Sequence, residues 1–168
     1  MALRPFRIAR RGVFLAAILA VCAAHSAEMP RPGPEPPAPS AFDDWSLVCD
    51  EACDVRTGVF GRDGSEVLSV IVRPDGGGAL GIETPLPLFL PDGVRLTLGE
   101  SEPRVIPWRT CDAEGCTARV PLDPKLLADL RRERAGTVEL ILETGERVRL
   151  GISLLGFTAA WRALSDAP

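Results

Sequence analysis

Residues 137–154, TVELILETGERVRLGISL, carry the pattern that decides the fold. In residues 148–152 apolar residues alternate with arginine or glycine, which is typical of a β-strand with one buried face. Residues 137–143 form a second run rich in β-branched and aliphatic side chains, and the ETGE sequence between the two runs predicts a hairpin turn. The stretch therefore predicts two antiparallel strands joined by a short turn.

Further strand patterns occupy most of the chain after residue 42. They lie at residues 45–49, 56–60, 66–73, 79–83, 93–98, 104–111 and 116–120. Two short helices are predicted, one starting with Asp123 as N-cap and Pro124 in the first turn, the other over residues 158–164. Short strands with two small helices predict an all-β fold, an antiparallel β-sandwich.

The first 27 residues predict a signal peptide. Four arginines precede residues 12–24, an uninterrupted apolar run of 13 residues. That run is shorter than the roughly 20 residues needed to span a bilayer, but it fits the core of an export signal. We expect a mature chain that starts near Glu28, has no transmembrane span and is periplasmic or secreted.

Two other export signals are open alternatives. Arg10 and Arg11 loosely fit a twin-arginine signal, which implies export in the folded state. Cys22 stands where a lipoprotein would be lipidated, but the bulky Val21 before it disfavours lipoprotein anchoring. The route of export is therefore left open.

Residues 28–41 predict a proline-rich linker. Six prolines fall within residues 30–39, which removes backbone donors and favours an extended polyproline II spacer. An unstructured mature N-terminus is the alternative. Residues 42–164 then form the folded unit, which has the usual size of one domain.

Composition excludes several classes of function. Without the leader the chain has 15 basic and 23 acidic residues, a formal net charge of −8, so no nucleic-acid partner is expected. The only histidine, His25, leaves with the leader, and the chain has no tyrosine. Histidine triads and histidine-containing zinc sites are thereby excluded, and we predict no catalytic residue, no cofactor and no metal.

Four cysteines form two close pairs in sequence, Cys49 with Cys53 and Cys111 with Cys116. In an exported chain this spacing favours structural disulfides over a metal site or a redox dithiol. Local pairing requires turns at residues 50–52 and 112–115, which have turn-forming residues. Crossed pairing would stabilise the fold by about 4 kcal/mol against about 2 for each local loop, so it remains open.

A proline-bounded segment at residues 85–91, PLPLFLP, is the candidate contact for a partner. Its large apolar residues cannot occupy a central strand, so they either line the sandwich edge or form an exposed patch. The candidate contact residues are Leu86, Leu88, Phe89 and Leu90.

Other conspicuous residues are expected to have structural roles. The three tryptophans are predicted to be core residues; they are Trp45, Trp108 and Trp161. An acidic cluster lacks the ligand ladder of an EF-hand and is predicted to be a solvated edge. Its members are Asp43, Asp44, Asp50, Glu51 and Asp54.

Several motifs occur in an order that resembles the invasion-associated locus B (IalB) family of Gram-negative bacteria. They are GVRL at residues 93–96, CDAEGCTA at 111–118, LDPKLL at 122–127 and GISLLGFTAA at 151–160, preceded by Trp45, Cys49 and Cys53. The resemblance covers roughly residues 42–164. It implies a secreted or periplasmic immunoglobulin-like β-sandwich, members linked to host-cell invasion and no agreed enzymatic reaction. It also supports local disulfide pairing, although the spacing from Cys49 to Cys53 is tight for the family.

These observations predict a non-catalytic binding or accessory module of the cell envelope, whose partner is an unknown envelope or host protein. Two alternatives are a periplasmic thiol-disulfide protein and a carboxylate-based hydrolase of envelope polymers. The first would need an accessible low-pKa sulfur, and the second would need two acidic side chains facing each other in a cleft.

Overall fold

The computed structural model describes residues 40–85 and 87–167. The predicted signal peptide, Cys22, residues 28–39 of the predicted linker and the candidate contact Leu86 lie outside the described residues. The first strand includes Ser40 and Ala41, the last two residues of the predicted linker. The domain boundaries otherwise stay a prediction.

The described residues form eleven strands and two α-helices. The strands are β1 Ser40–Phe42, β2 Trp45–Cys49, β3 Cys53–Phe60, β4 Glu66–Arg73, β5 Ala79–Thr84, β6 Val94–Leu98, β7 Arg104–Ile106, β8 Trp108–Cys111, β9 Cys116–Pro121, β10 Ala135–Ile141 and β11 Arg147–Ser153. The helices are α1 Pro124–Arg132 and α2 Phe157–Ser165.

The strands make two antiparallel sheets. One sheet has seven strands in the order β1-β2-β3-β4-β5-β9-β8, and the other has four in the order β11-β10-β6-β7. Alternate residues of both sheets meet in one apolar core, in which Val70 and Leu80 of the larger sheet join Leu96 and Val138 of the smaller one. The predicted antiparallel β-sandwich with two short helices is confirmed.

The hairpin predicted at residues 137–154 is present. β10 and β11 pair in register over seven residues, from Ala135 opposite Ser153 to Ile141 opposite Arg147. The turn between them is closed by hydrogen bonds from the Leu142 N–H to the Glu146 carbonyl and from the Gly145 N–H to the Leu142 carbonyl, each 2.8 Å long. Gly145 has a φ of 85°, which a glycine adopts without strain.

The single strand predicted at residues 104–111 is wrong. β7 pairs with β6 in the four-stranded sheet, whereas β8 pairs with β9 in the seven-stranded sheet. Pro107 stands between them and has no N–H to continue either ladder. The chain therefore passes from one sheet to the other at this proline.

The start of α1 follows the predicted capping pattern. The Asp123 side chain accepts a hydrogen bond of 2.8 Å from the Leu126 N–H, and Pro124 occupies the first turn. Arg104 donates to the same carboxylate at 2.7 Å. The Leu126 N–H, followed by Arg104, lowers the pKa of Asp123 below its ordinary value.

The second helix packs beneath the larger sheet. Phe157 at its first position is fully buried, and its ring lies 4.9 Å from the Trp45 ring in an edge-to-face arrangement. The helix begins one residue earlier and ends one residue later than the predicted range of 158–164.

Candidate binding surface

Each disulfide closes a β-hairpin of the seven-stranded sheet. Cys49 and Cys53 face each other in the β2–β3 register, and Cys111 and Cys116 do so in the β8–β9 register. The Cα–Cα distance is 4.0 Å in both pairs. The cysteines are therefore joined locally, and crossed pairing is excluded.

The turn at the second disulfide depends on Asp112 and Gly115. The Asp112 carboxylate accepts from the Glu114 N–H at 2.8 Å and from the Gly115 N–H at 3.2 Å. Gly115 has a φ of 148°, and a Cβ at this position would collide with the Thr84 carbonyl oxygen. The glycine in the CDAEGC motif is therefore required by the backbone of β5.

The predicted contact segment extends the four-stranded sheet beside β10. The Phe89 N–H donates to the Ile141 carbonyl at 2.9 Å, and Leu88 makes an isolated antiparallel bridge with Leu142. Leu88 is half-buried and packs against the core, which fits the alternative that this part of the segment lines the edge of the sandwich. Phe89 and Leu90, by contrast, are 44% and 45% exposed.

A third exposed apolar side chain comes from a different element. Val105 in β7 is 53% exposed because the neighbouring core position is taken by the buried Ile106. Phe89, Leu90 and Val105 are here called the apolar corner. Val105 is not among the predicted contact residues, although its alternation with Ile106 is visible in the sequence.

Two residues of the apolar corner, Leu90 and Val105, line an open groove of about 430 Å³. Its apolar lining consists of Leu90, Pro91, Val105, Pro107 and Trp108. Charged residues at the groove are Asp92 and Arg109, and the Cys111 end of the second disulfide also lines it. The groove therefore combines exposed aliphatic side chains with a disulfide-anchored wall, an arrangement suited to an apolar ligand group with a polar neighbour.

Trp108 is partly buried in this groove and packs against the core. Its indole N–H is buried and has no hydrogen-bond partner among the described residues. Trp45 is fully buried, as predicted, and Trp161 packs partly buried against Phe157 with ring centroids 6.1 Å apart.

The acidic cluster does not behave as one solvated edge. Asp54 is buried and its two carboxylate oxygens accept from Arg56 at 3.0 Å each, with Arg73 at 3.5 Å. The bond to Asp54 raises the pKa of Arg56. Asp54 therefore has a structural ion pair, while the other four members are exposed.

A second acidic group lies on the other side of the Cys111–Cys116 hairpin. An open groove of about 470 Å³ is lined by four acidic side chains, Glu66, Glu83, Asp112 and Glu114. Across residues 40–85 and 87–167, no group of three or more Cys, His, Asp or Glu side chains is placed to hold a metal ion. No helix in those ranges is long and apolar enough to cross a membrane.

Comparison with known proteins places these features in a family. The sequence profile of the invasion associated locus B (IalB) protein family matches residues 45–165. The crystal structure of invasion associated protein b from Bartonella henselae is similar to this chain with a TM-score of 0.69 and 20% sequence identity, covering 77% of this chain and 97% of that one. A search of the curated proteins finds no match. Since the family match spans both disulfides, both helices and most of the two sheets, this chain belongs to the invasion associated locus B family.

Proposed function

We propose that the chain is an exported protein of the cell envelope that acts as a non-catalytic binding module, with the apolar corner as its contact. The observation that carries the proposal is that Leu90 and Val105, which are 45% and 53% exposed and come from two different elements, line one groove, and that Phe89, next to Leu90 in the chain, is 44% exposed. Clustered exposed apolar residues around a groove are typical of interaction sites rather than of an inert surface.

Export is supported by two independent features. The N-terminal sequence has the basic and apolar regions of a signal peptide. Two disulfides staple hairpins of the larger sheet, and such bonds persist in oxidising compartments. The Bartonella protein is called an invasion associated protein, and an envelope or host protein is the partner proposed for this chain.

Site-specific photo-crosslinking in a producing Gram-negative bacterium tests the proposal. A photoreactive residue replaces Leu90 or Val105 in the full chain, and the same residue replaces Arg62, an exposed position in the β3–β4 turn, as a matched control. We expect a discrete adduct from the first two positions and none from Arg62, with the protein released in the periplasmic fraction.

A second measurement asks whether the crosslinked adduct depends on the apolar side chains. The double substitution Phe89→Ser with Leu90→Ser removes two of the three exposed apolar side chains of the apolar corner, whereas Phe60→Ser removes an exposed ring on β3. We expect the Val105 adduct to disappear only in the first variant. An adduct that survives the double substitution, or protein retained in the cytoplasm, would overturn the proposal.

A further inference from the structure

One edge of the four-stranded sheet is β11. In the part of the chain that the structure describes, β11 is hydrogen-bonded only to β10, over seven consecutive register pairs without irregularity. A strand with one unpaired edge presents a row of backbone donors and acceptors to any extended segment that approaches.

The direction in which the backbone groups of β11 point follows from a hydrogen bond made by the residue just after the strand. The Leu154 N–H donates to the Arg134 carbonyl at 3.0 Å, towards β10. Since backbone groups alternate in direction along a strand, those of residues 147, 149 and 151 point away from β10. The Ser153 carbonyl also points away, and it accepts the Trp45 indole N–H at 3.0 Å. Within residues 40–85 and 87–167, the N–H and C=O groups of Arg147, Arg149 and Gly151 therefore remain available.

The other sheet edges are protected against strand addition. β1 and β7 have three residues each, and Pro107 follows β7 directly. β8 has an irregular register between Trp108 and Thr110, which bends the edge. β11 has neither a proline nor a bulge, so it is the open edge best suited to pairing.

A groove runs beside this edge. It has a volume of about 680 Å³ and is lined by Gly151 and Ser153 together with residues of β2 and β3. Its apolar lining includes Val48, Val59 and Phe60, and the Phe60 side chain is 64% exposed. Asp44, Arg56 and Glu66 supply its charged side chains. An added strand would thus find apolar contacts as well as backbone partners.

The outer face next to the free edge is positively charged. Glu139 in β10 accepts from Arg149 at 2.6 Å and from Arg147 at 3.1 Å, and Arg95 lies 4.0 Å away. Arg149, followed by Arg147, lowers the pKa of Glu139 below its ordinary value. One carboxylate cannot neutralise three guanidinium groups, and each guanidinium has donors left over.

This charge argues against pairing between two copies of the chain. In the antiparallel register that uses all three free residues, Arg149 would stand opposite Arg149 of the second copy and Arg147 opposite Gly151. Like charges directly opposite each other destabilise a strand pair. An added segment with acidic residues on the arginine side avoids that repulsion.

We propose that β11 is a second interaction surface, which binds an extended acidic segment of a partner protein by strand addition. Residues 147, 149 and 151 supply the backbone hydrogen bonds, and Arg147 and Arg149 pair with acidic side chains on one face of the added strand. The apolar side chains on the other face of the added strand contact the groove at Phe60. This surface is separate from the apolar corner and does not depend on the proposed function.

Binding of a synthetic peptide tests the inference. The probe is a fluorescent seven-residue peptide that alternates valine and glutamate, titrated with the full mature chain and followed by anisotropy. We expect this peptide to bind about tenfold more tightly than a matched valine–lysine peptide. A glutamate peptide N-methylated at alternate residues should lose binding by a similar factor, because its backbone donors are blocked.

Matched protein variants separate the backbone and charge contributions. Gly151→Pro removes an outward N–H and should weaken binding about tenfold, whereas Gly151→Ala, whose added Cβ meets open space, should not. Arg149→Glu should reverse the preference for the acidic peptide, and Arg62→Glu should leave it unchanged. If Gly151→Pro fails to fold, the N-methylated peptide still tests the backbone contribution on the unaltered protein.

Three outcomes would overturn strand addition. They are equal binding of the two charged peptides, unaltered binding of the N-methylated peptide, and unaltered binding of the acidic peptide to the Arg149→Glu variant. Full competition by dextran sulfate alongside the second outcome would assign the arginines to a plain anion surface. Leu90→Ser with Val105→Ser should leave peptide binding intact. Failure at one surface can therefore be distinguished from failure at the other.

Discussion

The indole N–H of Trp45 donates a hydrogen bond of 3.0 Å to the backbone carbonyl of Ser153. Trp45 begins β2 in the seven-stranded sheet, and Ser153 ends β11 in the four-stranded sheet. The bond therefore links the two sheets through a fully buried side chain that also contacts Phe157. Trp108 offers a contrast, because its buried indole N–H has no partner among the described residues.

Replacing each tryptophan by phenylalanine should have unequal effects. Trp45→Phe loses the bond to Ser153 and leaves a cavity, so we expect the free energy of unfolding to fall by about 2–4 kcal/mol. Trp108→Phe removes a donor that is already unsatisfied, so its loss of packing is offset and the change should stay within about 1 kcal/mol. Urea denaturation of both variants measures the difference. Equal losses would contradict the assigned hydrogen bonding of the two indoles.

Removing the disulfides one at a time should destabilise the chain modestly and independently. Each bond closes a short loop, with a sequence separation of 4 or 5, so each is expected to contribute about 2 kcal/mol. The two hairpins are separated in the sheet by β4 and β5, so the losses should add. Denaturation of Cys49→Ala with Cys53→Ala, of Cys111→Ala with Cys116→Ala, and of the fourfold variant tests additivity. If the variant with all four substitutions loses well more free energy of unfolding than the two double variants together, the two disulfides are coupled in a way that the structure does not contain.

Gly156→Ala should be among the most damaging single substitutions. Gly156 precedes α2 with a φ of 89°, and a Cβ there would collide with the Phe42 carbonyl oxygen. Strain and collision together should cost about 3 kcal/mol. Gly151→Ala is the matched control, since its Cβ meets open space and its stability should be unchanged or slightly raised. A shift of the urea midpoint that is the same for both variants would refute this explanation of the GISLLGF motif.

Stability should fall in acid partly through Asp129. This buried carboxylate pairs with Lys125 and Arg132, each at 2.8 Å. The Lys125 hydrogen bond is the main cause that lowers the pKa of Asp129 below its ordinary value of 3.8. Folding therefore favours the charged form of this carboxylate. The stability that the carboxylate contributes is present above pH 3.8 and is lost as the pH falls through its lower pKa in the folded state.

The variant Asp129→Asn tests this dependence. Because both cations are mostly exposed, the expected loss at pH 7 is only about 1 kcal/mol. The difference in stability between the variant and the unaltered chain should shrink below pH 3.8. Denaturant midpoints across a pH series measure this difference. Asp50→Asn, at an exposed turn position, should leave the denaturant midpoint at pH 7 unchanged. A gap that is constant with pH would rule out the ionised carboxylate as its source.

Local patterns predicted much of the secondary structure. The strands at 45–49 and 66–73, the β10–β11 hairpin and the Asp123 cap were visible because alternation, turn residues and capping side chains act over a few neighbouring residues. β1 was missed because it is only three residues long and follows the proline-rich stretch. Pro107 was present in the sequence, but nothing local showed that the strands on its two sides join different sheets.

The candidate surfaces were predictable only in part. The segment at residues 85–91 was selected for its large apolar residues, yet Leu88 packs against the core while Phe89 and Leu90 stay exposed. Asp54 had been grouped with solvated acids, but Arg56 and Arg73 enclose it. Burial of a side chain depends on elements distant in sequence, so neighbouring residues with similar composition can have opposite environments.

By itself, the amino-acid sequence determined the antiparallel all-β class, the starts of the helices and the turns that permit local disulfides, because these depend on backbone preferences of adjacent residues. Tertiary structure alone decided the crossing of the chain at Pro107, the placement of Leu90 and Val105 along one groove, and the open edge of β11. Those features depend on strand order and on the packing of one sheet against the other, which are set by contacts between residues far apart in the chain.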